Sequence, residues 1–159
     1  MAKKTMKKRA KISKATAADA ELILKLYDLR REATMREARD YLGLQFWPQS
    51  LQDIMTVATA AGSDENRFFR QVLGYWETAA SLVAHGALNA DLFDSCEGEM
   101  YFIYAKFRPH LAQLRKELGQ PTFLQNVERV AERSPERVKA ISERVAQLGT
   151  RMRKAAAAK

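Results

Sequence analysis

The chain has 159 residues, 47% apolar and 29% charged, too apolar to stay disordered throughout and long enough for one globular domain with a core. Its longest run free of Asp, Glu, Lys and Arg is residues 78–90, 13 residues, short of the roughly 20 that cross a bilayer, and its single cysteine, Cys96, cannot form an internal disulfide. The formal charge of +8 is unevenly spread: all 19 carboxylates fall within residues 15–150, where 16 Lys and Arg leave the body at −3, so a pI of 9.7 does not signify a basic domain face.

Residues 1–15 form the first expected element, a basic flexible tail. Lys3, Lys4, Lys7, Lys8, Arg9, Lys11 and Lys14 stand there without an acid, and such a run repels itself until it meets an anionic surface. It lacks the apolar segment of a secretory signal, because Asp19, Glu21 and Lys25 interrupt the place where one would lie. A cytoplasmic location is expected. The tail has no aromatic residue to stack on bases, so nucleic acid or ribonucleoprotein would be bound non-specifically and salt-sensitively, through phosphates.

Residues 16–133 read as helix almost throughout. Apolar spacings of three and four predict a long helix over 16–42, opened by Thr16 and closed by Gly43. Pro48 marks a loop. Ser50 and Asp53 form a capping pair for a short helix ending at Gly62, and Ser63 caps the next. That helix carries Phe68, Phe69, Val72, Leu73, Trp76, Ala79, Ala80 and Val83, the strongest apolar stripe, and is expected at the bundle centre. Gly86 ends it, with Leu88 placed for a Schellman contact. Asn89 opens a short helix, and another runs over 99–118 with a kink or restart at Pro109. After Gly119 and Pro121 a helix is predicted over 122–132.

The third region, residues 134–159, reads as an amphipathic helix with a basic, Ala-rich end, capped by Ser134 with Pro135 at its first position. Arg151, Arg153 and Lys154 join the candidate phosphate contacts. Val138, Ile141, Val145, Leu148 and Met152 recur at spacings of three and four, a seam that either packs on the preceding helix or supports a homo-oligomer. The fold class is therefore all-α, a single-domain bundle of about five to seven helices.

No phosphate loop, metal-ligand cluster or nucleophile grouping stands out, so no catalytic residue, metal or cofactor is expected. His85 is placed to serve its helix's carbonyl end, and Cys96 reads as a small core residue. Several charges fall on apolar stripes: Arg39, Glu77, Arg108, Arg115 and Glu128. Buried charges must pair, so Glu77 and Glu128 are expected to meet arginines from other helices. The alternative is an arginine-rich anion pocket walled by Tyr75, Trp76, Tyr101 and Tyr104.

The run Leu-Tyr-Asp-Leu-Arg-Arg at 26–31, Ala38-Arg39, Tyr75-Trp76-Glu77, Leu82-Val83 with Gly86, Phe107-Arg108-Pro109, Arg115 and Val127-Glu128 resembles a bacterial family of small helical proteins described as a domain of unknown function. The resemblance spans roughly residues 22–132. It implies an all-helical domain and no established activity, substrate or cofactor. A non-enzymatic binding or accessory protein, tethered to nucleic acid or ribonucleoprotein by basic tails, is the expected function; the alternative is a self-associating scaffold or protein-interaction module whose tails only aid solubility.

Overall fold

A computed structural model describes residues 14–158 of the chain. Of the amino-terminal cations only Lys14, which is exposed, falls among the described residues; Lys3, Lys4, Lys7, Lys8, Arg9 and Lys11 lie outside them. The described chain is all-α, with nine helical segments: α1 (Ala17–Arg31), α2 (Ala33–Asp40), α3 (Leu51–Thr59), α4 (Asp64–Ala84), α5 (Ala90–Cys96), α6 (Gly98–Phe107), α7 (Leu111–Glu117), α8 (Gln125–Ala131) and α9 (Pro135–Ala157). A π-helical turn, Tyr41–Gln45, continues α2, and a 3₁₀ turn, Arg108–His110, joins α6 to α7.

Local signals set many of these boundaries. Thr16 and Asp19 form a reciprocal capping box on α1, as Ser50 and Asp53 do on α3, and Ser63 and Asn89 accept from the backbones of α4 and α5. Gly86, at φ 75°, builds the Schellman turn after α4: its N–H donates to Val83, the next N–H donates to Leu82, and Leu88 is buried beside it. At Pro109 the chain restarts through the 3₁₀ turn, since proline supplies no N–H to continue α6.

Four boundaries differ from the sequence expectation. The helix expected over 16–42 breaks at Glu32, whose backbone is extended and whose carboxylate accepts from Met35 N–H to start α2. Gly43 does not close it with a left-handed residue; the π-helical turn does, its last carbonyls taken by a side chain described below. The helix expected over 122–132 starts only at Gln125, because Leu124 sits in the left-handed region at φ 53°. Ser134 begins α9 without a side-chain cap.

The long helix α4 is the hub, packing on α2, α3 and α8. Phe69, Val72, Leu73, Trp76, Ala79, Ala80 and Val83 of its stripe are buried, while Phe68 is half-buried. Burial of each large side chain stabilises the fold by about 1.5–3 kcal/mol. From α6, Met100, Tyr101, Ile103, Tyr104 and Phe107 complete the core. Cys96 is exposed at the end of α5, not in the core.

The seam of α9 packs on α6 within the same chain, not on the helix that precedes it. Val138 and Val145 are buried, Ile141 and Leu148 half-buried, and Met152 exposed. The residues proposed for a homo-oligomer interface are thus largely used in cis. Gly149 sits at the tightest point, where a Cβ would lie 3.1 Å from the Trp47 ring and 3.0 Å from Arg153 Nη1. Gly149→Leu is expected to wedge α9 from Trp47 and cost about 1–3 kcal/mol, seen as a lower urea midpoint.

Candidate functional site

Two sets of charges organise the molecule: interior cations, each held by a partner, and the cations of α9. Lys106, on α6, is the most deeply placed. It is 5% exposed, and its ammonium donates to the carbonyls of Leu42 at 2.6 Å, Gly43 at 3.0 Å and Phe46 at 2.9 Å. The same Nζ stands 3.6 Å from the centre of the Trp47 ring and 5.1 Å from that of Phe102. It supplies donors to a helix end whose carbonyls would otherwise be orphaned, and its charge suits the negative end of the dipole. Burial pushes its pKa down to about 7. The only sequence signal was a lone cation inside the apolar run from Met100 to Phe107.

The arginines on apolar stripes are each taken. Arg39 forks onto Glu99, its Nε 2.9 Å from Oε1. Arg108 is exposed rather than interior; its Nε donates to Glu132 Oε1 at 2.8 Å, which also accepts from Tyr104 Oη at 2.8 Å. Arg108 and Tyr104 together hold the Glu132 carboxyl below its ordinary range, while burial pushes the Tyr104 phenol upward. Arg115 donates to the Phe123 carbonyl and pairs with Glu128 at 2.8 Å, so Glu128 meets an arginine from another helix as expected.

Glu77 does not. Its carboxylate accepts from Asn126 N–H at 2.9 Å, Val127 N–H at 3.1 Å and Asn126 Nδ2 at 2.8 Å. Leu124 offers α8 no side-chain cap, so Glu77 caps that helix across the core and its charge meets the positive dipole end.

An arginine-rich pocket walled by Tyr75, Trp76, Tyr101 and Tyr104 does not form. Tyr75 Oη donates to the Leu26 carbonyl, and Tyr101 Oη donates to Asp94, which with burial raises the Tyr101 phenol to about 12. Arg30, not singled out in the sequence, pairs with the buried Glu97 at 2.7 Å and lies over the Trp76 ring. Burial raises the Glu97 carboxyl, and Arg30 opposes the shift. His85 serves its helix end, its Nδ1 2.9 Å from the Ser81 carbonyl.

The cations of α9 are arranged otherwise. Beyond Glu143 the sequence holds Arg144, Arg151, Arg153, Lys154 and Lys159 without an acid. Arg144, Arg151 and Lys154 are exposed and have no ion pair among the described residues. At 3.6 residues per turn they share an arc of about 80°, turned about 100° or more from Val145. Arg153 is half-buried and donates to Thr150 Oγ1. Arg137, nearer the start, is spent on the fold, donating to the Asp94 carbonyl and stacking 3.9 Å from the Tyr101 ring.

A bundle of short helices with paired interior charges and one cationic helix edge defines an all-α domain, in which no helix among the described residues is long and apolar enough to cross a membrane. The chain belongs to the family described as domain of unknown function DUF4760, whose model matches residues 15–134. Neither a curated protein nor a solved structure matches it. The matched region ends where α9 begins, so α9 and its cationic edge lie outside it.

Lys106→Met, which leaves three carbonyls without their donor, is expected to lower stability by about 2–4 kcal/mol near neutral pH. The sign of its pH dependence follows from the shift. Between about 7, the folded value, and the ordinary 10.5, the unfolded chain binds a proton that the folded chain releases, so stability rises with pH. Urea midpoints from pH 7 to 9.5 should show the gap between the natural protein and Lys106→Met widening; a constant gap would mean that Lys106 does not titrate in that window.

Proposed function

We propose that this protein is a non-enzymatic binding or accessory protein that attaches to nucleic acid or ribonucleoprotein through its cationic ends, while the helical domain engages a second component. One observation carries this reading. The fold assigns its interior cations specific partners, yet leaves Arg144, Arg151 and Lys154 on one solvent edge of α9 with no ion pair among the described residues. The sequence adds seven cations and no aromatic residue in residues 1–14, a composition suited to backbone contact without base readout. Self-association through α9 is the weaker reading, since Val138 and Val145 are buried against α6.

Binding of the full-length protein to labelled duplex DNA and single-stranded RNA, followed by anisotropy across a salt series, tests this. Affinity should fall steeply with salt and not depend on sequence. Replacing Arg144, Arg151 and Lys154 together by Gln should reduce the slope of log K against log salt by about 2–3, at roughly 0.9 per phosphate contact on duplex DNA. No binding near physiological salt, or an unchanged slope, would remove nucleic acid as the partner of α9.

A further inference from the structure

A cleft of about 980 Å³ opens between α4, the end of α3 and the loop of residues 118–124. Three features border it. Gly74 stands mid-way along the 21-residue α4, where glycine is the least favourable residue after proline. Gly74 is exposed and a Cβ there would meet no atom within 4 Å, so the glycine relieves no clash; its effect is to leave helix backbone bare at the side of the cleft. Leu124, buried and left-handed at φ 53°, carries backbone strain where the loop turns over the cleft. Arg70, four residues before Gly74 on the same face, is exposed and has no ion pair among the described residues.

Glu77, the carboxylate on the same helix face, has both oxygens engaged by the start of α8. The cleft therefore carries one guanidinium with no ion pair among the described residues, beside a carboxylate whose oxygens are already taken by N–H donors. Its flank is apolar and flat: Phe123 stacks on Phe69 with centroids 6.3 Å apart and planes within 11°. The volume lies in the range of small-molecule sites, about 300–1,000 Å³. Strain and an unfavoured glycine gathered at one concave surface are what a backbone shaped for a ligand would show.

We propose that this cleft is a binding site for a small organic monoanion. Its carboxylate or sulfonate pairs with Arg70, and its flat apolar body lies on the bare backbone at Gly74 beside Phe123. One guanidinium fork matches one such group, which sets the ligand's charge at one rather than the many of a polyphosphate.

Anilinonaphthalene sulfonate, a flat apolar body with one sulfonate, is the probe. Fluorescence titration of the full chain should show saturable one-site binding. Arg70→Gln, at an exposed position, should weaken it about tenfold, the ordinary loss for a charge-assisted contact. Gly74→Leu, whose side chain projects into the cleft, should abolish it. Gly74→Ala should raise the melting temperature, because it gains helix propensity and meets no neighbour. Absence of saturable binding, or equal affinity in the natural protein and in folded Arg70→Gln and Gly74→Leu variants, would overturn the proposal and put the dye elsewhere, such as on the cationic ends. Should Gly74→Leu fail to fold, Arg70→Gln decides alone.

Discussion

The ammonium of Lys106 is the point on which the bundle's connections depend. Taking an ammonium into the core costs several kcal/mol, a cost that three carbonyls from the turn after α2, with two ring faces, offset only in part, so that burial still lowers its pKa. In return the lysine ends a helix without the usual left-handed glycine. It also ties α6 to the turn carrying Phe46 and Trp47, and Trp47 is the surface on which Gly149 of α9 sits. One buried charge thus links the end of α2, the core helix α6 and the docking of the last helix.

Elsewhere, carboxylates do the joining. Glu77 caps α8 from the face of α4, Asp19 both caps α1 and accepts from Asn89 N–H at the start of α5, and Glu132 gathers Arg108 and Tyr104. Each uses a helix terminus or a guanidinium from another segment as its counter-charge. Short helices have many unsatisfied ends for their length, and a bundle in which six of nine helices have seven to ten residues has to satisfy those ends across elements. Interior charge in this fold is therefore chiefly engaged in holding helix ends and ion pairs.

The domain matched by the family model spends its buried charges on register, while the cations beyond Glu143 ride on an added helix whose apolar face is already buried on α6. α9 is held by that face as far as Gly149, beyond which Arg151, Met152 and Lys154 are exposed. The cleft beside Gly74 lies on α4 and is formed by different elements.

The class of fold was legible because it rests on short-range signals. Spacings of three and four mark the buried stripe of α4, and the pairs Thr16–Asp19 and Ser50–Asp53, with Gly86, act within a few residues of themselves. The stripe charges were legible as charges needing partners, and for Glu128 the kind of partner followed. What the local pattern did not contain was the partner's address. Lys106 reaches a carbonyl 64 residues away, Arg39 a carboxylate 60 away, and Glu77 an N–H about 50 away. The same holds for the break at Glu32, the π-helical turn and the left-handed Leu124, each out of step with its local sequence. The sequence by itself determined the helices, their core faces and the segregation of charge, since these are set by periodicity and composition. Only the tertiary structure decided which helix end meets which side chain, because a buried hydrogen bond is made or lost by ångström placement that no spacing along the chain encodes.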